Sequence, residues 1–378
     1  MAKRSSTTDI SKARKENLIS SLKKPATLSQ VAELAGVSRW VAGAVLNKGA
    51  GNIGCSKENR KRILDAAKML NYQPNFAART LRGKNSQVYG LLVASAGDPL
   101  RSFLVQYLDV ESIATGRQVF ISNTIGNPNV GPNRFEQCVM DFAHRKVDGV
   151  FCAVHHWFAG DRQFLLQMHP KTVFYEDPGI ANTSFVAVDR AEAIRIAVNH
   201  LVSQQGRQRI AITLMSRENT TQLVRFNAYR QSLEANGMPF HPELVLWGCD
   251  HGAGYAYHDP VENKWSFPTN VIETAITLLV DQAGADAVIA YDDFWGATMI
   301  SRLLKRRKRV PEDVAVIGYL NHYLADWTAP SLTSIDINHT SAAKQMVRML
   351  DEMVNTPTEQ IVAKKVLIKP RLIVRDSG

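Results

Sequence analysis

Thr27-Leu28-Ser29-Gln30-Val31-Ala32-Glu33-Leu34-Ala35-Gly36-Val37-Ser38 decides how the N-terminal part of this 378-residue chain folds. Thr27 followed by Gln30 has the spacing of a capping box, in which two side chains satisfy the free amides of a helix start. Val31, Leu34 and Ala35 recur at i, i+3 and i+4, so one face of that helix is apolar. Gly36 permits the tight bend that stops it, and Ser38 is a good N-cap for a second helix whose expected buried residues are Val41, Val45 and Leu46. A third helix starts at Ser56 and is expected to bury Ile63, Ala66, Ala67 and Leu70. Helix, glycine turn and second short helix make a helix-turn-helix over residues 27–74. The competing reading is an ordinary helical hairpin inside a core.

Charge separates the two. Residues 1–88 carry 17 Lys+Arg against 5 Asp+Glu, a net of +12, while the other 290 residues carry 28 against 30, a net of −2. A basic module on a near-neutral body is the footprint of nucleic-acid binding. Residues 1–26, with seven Lys/Arg up to position 25, read as a flexible basic arm. Asn75 to Gly83 follow a proline and have room for about two helical turns, too few to be stable alone. Residues 75–87 therefore read as a hinge helix and linker.

From position 88 the pattern changes to apolar strands alternating with helical stretches. Strands are expected at Tyr89–Ala94, Gln118–Ser122, Gly149–Val154, Thr172–Tyr175, Arg209–Leu214, Ala287–Tyr291 and Val314–Tyr319. This is the signature of parallel α/β sheets covered on both faces. About 290 residues exceed one such sheet, so residues 88–378 are expected to form two similar Rossmann-like subdomains with ligand in the crevice at the carboxyl ends of their strands. No Walker loop, Gly-x-Gly-x-x-Gly or Gly-x-Ser-x-Gly occurs. The four cysteines, Cys55, Cys138, Cys152 and Cys249, form no Cys-x-x-Cys pair, which fits a reducing compartment. No secretory h-region follows Lys3-Arg4, and no apolar run approaches a membrane span. A cytoplasmic protein without cofactor or metal is expected. The segment from Cys249 to Phe267, with His251, Tyr255, Tyr257, His258, Asp259 and Trp265, fits no standard zinc spacing and reads as a lid or surface loop.

These residues resemble the LacI/GalR family of bacterial transcription regulators. The resemblance rests on Leu28 to Ser38, on Val45-Leu46-Asn47, on Ser56 with Arg60, and on Leu70-Asn71-Tyr72-Gln73-Pro74-Asn75. Ala78-Arg79-Thr80-Leu81 matches the family's hinge. In the body it is carried by Val147-Asp148-Gly149, Val188-Asp189, His200-Leu201, Val310 to Tyr319, Pro330 to Ile335 and Pro370 to Arg375. It implies an all-α helix-turn-helix domain on a type I periplasmic-binding-protein-like α/β body. The subdomains are expected at about 88–176 with 337–356 and 177–336 with 357–378. It implies a repressor that binds a pseudo-palindromic double-stranded DNA operator and is controlled by a small effector, a sugar or sugar derivative. It also implies a homodimer, since no leucine-heptad tail follows the last strand.

The resemblance assigns Ser38, Arg39 and Trp40 to the start of a recognition helix in the major groove. Arg39 pairs with guanine O6/N7 and Trp40 packs on a thymine methyl or a sugar edge. The alternatives are a phosphate contact for Arg39 and packing beneath the third helix for Trp40. Asn47, Lys57 and Arg60 fall to phosphate contacts, Arg79 of the hinge to DNA binding, and Leu81 to the minor-groove wedge. For the effector it assigns Arg225 and Asp292 as a facing guanidinium and carboxylate, and Trp157, Phe174 and Trp295 as stacking aromatics. Arg101 and His156 fall at the cleft mouth, where an extra cation suggests an acidic group on the effector. Several positions depart from the family: Gly43-Ala44 replaces a common Ser-Arg, Leu320 replaces an Asp, Arg190 replaces an Asn, and Leu100-Arg101 replaces an aromatic pair. The operator and the effector are thus not set by the family. Two other function classes share parts of this pattern. An enzyme on a Rossmann-like fold needs a nucleophile, phosphate loop or metal cluster, which is not evident. An exported sugar-binding protein leaves the basic N-terminal module without a purpose.

Overall fold

The computed structural model describes residues 26–46, 55–72, 85–94, 99–124, 134–154, 160–253, 258–259, 264–265 and 269–378. The chain divides into two compact units, Met1–Ser86 and Gln87–Gly378.

In the first unit, helices α1 (Leu28–Ala35), α2 (Arg39–Leu46) and α3 (Lys57–Met69) form the expected three-helix module. The capping box is complete: Gln30 N–H donates to Thr27 Oγ1 at 3.3 Å, and Thr27 N–H donates to Gln30 Oε1 at 2.8 Å. Gly36 closes α1 at φ +65°, a left-handed conformation that favours glycine; a Cβ there would meet only the movable end of the Arg62 side chain. Ser38 accepts from Val41 N–H and Ser56 from Asn59 N–H, satisfying free amides at the starts of α2 and α3. The core is Val31, Ala32, Ala35, Ala42, Val45, Ile63, Ala66 and Ala67. Two expectations need correcting. Leu34 is half exposed and Ala32 takes its place inside, while Ala42 and Gly43 are buried where Val41 and Leu46 are only partly so. Small side chains face inward because three helices this short must approach closely to exclude water.

In the second unit, the first lobe opens with β1 (Val88–Val93), α4 (Pro99–Ala114), β2 (Gln118–Asn123), α5 (Arg134–His144), β3 (Gly149–Ala153), α6 (Asp161–Met168), β4 (Thr172–Tyr175) and β5 (Ser184–Val188). The second lobe follows with α7 (Arg190–Ser203), β6 (Ile210–Leu214), α8 (Thr220–Ala235) and β7 (Val245–Trp247). A short ribbon of β8 (His258–Asp259) and β9 (Lys264–Trp265) precedes α9 (Thr269–Ala275), which continues as a π-helical turn. Then come β10 (Ala287–Ile289), α10 (Asp293–Lys305), β11 (Ala315–Tyr319), α11 (Leu324–Trp327), β12 (Thr333–Asp336), α12 (His339–Val354), β13 (Lys365–Ile368) and β14 (Arg371–Ile373).

The first sheet runs β13-β5-β4-β3-β1-β2 with all pairs parallel, and the second runs β14-β12-β11-β10-β6-β7 with only β14 antiparallel. Strands β1, β3, β4, β6, β10 and β11 are buried along their whole length or nearly so, as near-continuous Val/Ile/Leu runs predict.

The subdomain boundaries expected from sequence are corrected. β5 and β13 belong to the first sheet, so the chain passes between lobes at Asp189, at Ile337-Asn338 and at Lys369-Pro370. A parallel pair ordinarily needs a helix-length connection, and residues 176–183 between β4 and β5 hold none. Eight extended residues reach about 26 Å, ample to return along a four-residue strand.

Candidate effector cleft and DNA-reading helix

A cavity of about 490 Å³ lies in the second unit, walled by the carboxyl ends of β3, β4, β10 and β11, the starts of α7 and α8, and the crossover residue Ile337. This is where an open parallel sheet leaves strand ends and helix starts free to meet a ligand.

Arg225 projects from α8 and is only 2% exposed. Its Nη1 donates to Tyr291 O at 2.9 Å and its Nη2 to Ala290 O at 3.2 Å, while its guanidinium carbon lies 4.1 Å from the Tyr319 ring centroid. Carbonyls just past β10 therefore fix the fork, and burial pulls its pKa down. Opposite stands Arg190, the first residue of α7. It donates to Glu176 Oε1 at 2.6 Å and to the Tyr319 hydroxyl at 3.3 Å. Tyr319 is thus held between two guanidiniums, with Arg190 at its hydroxyl and Arg225 on its face.

Four buried polar atoms on this lining have no hydrogen-bond partner among the described residues: Tyr175 Oη, Arg190 Nε, Gln222 Oε1 and Arg225 Nε. Buried polar groups are ordinarily paired, so a set of orphans converging on one cavity marks a site that a polar ligand completes. Backbone strain gathers here too. Glu176 at φ +78° and Leu320 at φ +111° both line the cavity in conformations that cost roughly 1–3 kcal/mol each in a non-glycine residue. Hydrogen bonds of 2.8 Å from Glu176 N–H to Val186 O and from Leu320 N–H to Ile335 O hold them in place.

The residues singled out from sequence divide. Arg101, Arg225 and Asp292 line the cavity. Asp292 also caps α10, accepting from Trp295 N–H at 2.8 Å, so its carboxylate is oriented although the residue is buried at the cavity wall. Phe174 touches the cavity wall, but its ring is buried in the first-lobe core with Leu92, Phe142 and Phe185. Trp295 is a correction: it is fully buried in the second-lobe core, 5.9 Å from the Tyr291 ring, and does not line the cavity. One α10 residue faces the cleft at the cap and the next turn turns inward, which a sequence alignment does not resolve. His156, Trp157, Asn47, Arg79, Leu81, the 1–25 arm and most of the 254–268 segment lie outside the described residues.

Sequence reasoning missed Tyr175, Glu176, Gln222 and Tyr319, and noted Arg190 only as a departure. Two signals were available. Gln222 and Arg225 are three apart on one helix and share a face, and Arg190 starts a helix two residues after the apolar strand β5, at a crossover between lobes.

In the first unit, Arg39 and Trp40 occupy the first turn of α2 and are exposed, Trp40 at 72%. The alternative that Trp40 packs beneath the third helix is excluded by that exposure. Lys57 and Arg60 are exposed on the first turn of α3. Ser38 is committed to capping. An uncovered tryptophan beside an arginine at a helix start, in a module carrying the chain's excess positive charge, suits insertion into a nucleic-acid groove.

Such a helical module, in one chain with a two-lobed cleft body, defines a DNA-binding regulator with a small-molecule effector. Residues 198–378 match the periplasmic binding protein-like domain. The chain is 26% identical over 355 residues to the HTH-type transcriptional repressor PurR of Haemophilus influenzae strain PittEE, covering 93% of this chain and 98% of that repressor. It is similar in structure to the transcriptional regulator CelR in its cellobiose complex, with TM-score 0.64 and 26% identity over 93% of this chain and 100% of that one. The Lac repressor dimer bound to operator and an anti-inducer shares the fold, with TM-score 0.74 and 20% identity over 94% and 99% of the two chains. These similarities support a transcription regulator of the LacI/GalR type. No described helix is long and apolar enough to cross a membrane.

Proposed function

We propose that this protein is a cytoplasmic, non-enzymatic repressor that binds a pseudo-palindromic operator as a homodimer and changes its operator affinity when a sugar or sugar derivative enters the cleft. The observation that carries this reading is the converging set of unpartnered polar atoms in the cleft, in a chain that also presents Arg39 and Trp40 on an uncovered helix start. The wall offers donors at Arg190 and Arg225, an acceptor at Gln222, a hydroxyl at Tyr175 and a carboxylate at Asp292. A polyhydroxylated molecule supplies both donors and acceptors to match. The cavity's volume is in the range of small-molecule sites, and cellobiose in the CelR complex supports a carbohydrate.

On the DNA side, Arg39 and Trp40 read base edges, Asn47, Lys57 and Arg60 hold phosphates, and Arg79 of the hinge binds DNA. Residues 75–82 fold as a hinge on the operator, with Leu81 opening its central step. The test begins with enrichment of random double-stranded oligonucleotides on the full chain, followed by operator titrations with and without candidate sugars. A two-fold-related motif whose affinity shifts with a sugar is the expected result. Arg39→Ala should cost about 1–3 kcal/mol and relax preference at one position per half-site. Failure to enrich any motif, or an operator affinity indifferent to every sugar tried, would overturn the reading.

A further inference from the structure

Arg101 is the one cleft arginine on α4, and it departs from the family's pattern. Its guanidinium carbon lies 5.0 Å from the Tyr175 ring centroid, and no carboxylate or hydrogen-bond acceptor meets it among the described residues. Two acids on the same lobe's wall are engaged elsewhere. Glu176 is taken by Arg190 at 2.6 Å, and Asp177 Oδ1 accepts from Gly179 N–H at 2.8 Å. Asp292, on the opposite lobe, caps α10. The corner therefore holds an uncompensated cation, the free Nε–H of the buried Arg190 and the unpartnered hydroxyl of Tyr175.

His339 lies beneath this corner. It is buried at the start of α12, its ring 6.3 Å from that of Tyr175, and both its nitrogens lack partners. Burial together with the charges of Arg101 and Arg190 holds it neutral. A ring that has shed its proton adds no competing cation and leaves the two arginines to face the cavity.

We infer that the effector of this cleft carries an anionic group, a carboxylate or a phosphate, which docks against Arg101, Arg190 Nε–H and the Tyr175 hydroxyl. This rests on the effector reading of the cleft. A neutral sugar would leave the Arg101 guanidinium with only an aromatic face, a weaker partner than a charge-assisted hydrogen bond. The hydroxyl-rich remainder of the ligand reaches Arg225, Gln222 and Asp292 on the opposite wall.

The experiment is calorimetric titration of the full chain with acids and their neutral counterparts. The acids are D-glucuronate, D-galacturonate and D-glucose 6-phosphate; the neutral set is D-glucuronamide, D-glucose and cellobiose. Inorganic phosphate is a separate arm. At least one acid should bind roughly tenfold or more tighter than its neutral counterpart, the scale of one charge-assisted hydrogen bond. Arg101→Gln should erase that preference and Arg101→Lys should restore part of it, with the ligand-free melting temperature unchanged in both. Uronate binding identifies a carboxylate source, whereas binding confined to the phosphorylated sugar or to phosphate identifies a phosphoryl source. The inference is overturned if no acid binds, if neutral counterparts bind as tightly, or if the preference survives Arg101→Gln. A neutral sugar that shifts operator affinity while acids do not would overturn the anionic group and leave the regulator standing. Operator affinity unmoved by every compound would count against the regulator itself.

Discussion

His339 shows how one side chain in this fold answers to its surroundings. Desolvation, with the charges of Arg101 and Arg190, pulls its pKa from 6.5 to about 3. In the unfolded chain the imidazole takes up a proton near pH 6.5, while in the native state it stays neutral until about pH 3. Stability therefore carries no penalty from this residue above pH 6.5 and is lost progressively as pH falls toward 3, because the unfolded state binds the extra proton. At pH 5 the loss is about 2 kcal/mol. His339→Gln should flatten that part of the stability profile between pH 7 and 5, measured by denaturant unfolding at each pH. An unchanged slope in the variant would place the acid sensitivity elsewhere. Arg225 carries a different lesson at the same scale. It was legible as a site residue, but two of its five N–H donors hold backbone carbonyls, and Nε is the one nitrogen of the three with no partner among the described residues.

Helices α1, α2 and α3 were legible almost to the residue because their signals are local. A capping box, a left-handed glycine and two serine caps act over three or four residues, and each is present in the structure. The inward face was less legible, since Leu34 and Ala32 lie on neighbouring sides of α1 and only contact with α3 decides between them. Ile63, the largest fully buried side chain of this small core, sits where the three helices meet. Ile63→Ala should cost about 2–5 kcal/mol, a large share of what so small an alanine-rich module possesses. Operator binding should fail while sugar binding by the second unit persists, with circular dichroism reporting the helix loss. Intact operator affinity in the variant would show that the module's stability does not rest on this side chain. The strands β5, β7, β12, β13 and β14 were not anticipated, because short strands at sheet edges, or strands following connections without a helix, carry little periodicity.

Over the whole molecule, three crossovers join two lobes that share the cleft, so a ligand gripping both walls biases their relative placement. A coupling of about 1–3 kcal/mol would give roughly 5–150-fold control of DNA affinity. The expected homodimer has a physical basis on the first lobe. Val110 and Ile113 on α4 are exposed beside Ile121 on the edge strand β2, an apolar stripe that a second copy would cover. Light scattering at micromolar protein should give the mass of two chains, and Ile113→Glu should reduce it to one. A four-chain mass, or a dimer indifferent to that substitution, would refute this surface.

The sequence by itself determined the class of this protein: a basic helix-turn-helix module, then apolar strands alternating with helices in a family's order. Those features follow from contacts between residues near in sequence and from burial that any parallel sheet demands. The tertiary structure alone decided which groups meet. Arg190 and Tyr319 come together across 129 residues of sequence, and Arg225 joins them at the Tyr319 ring. Trp295 turns into the core while Asp292, three residues before it, faces the cleft. Orphaned donors and acceptors are a property of packing: an atom lacks a partner only after every other element has taken its place.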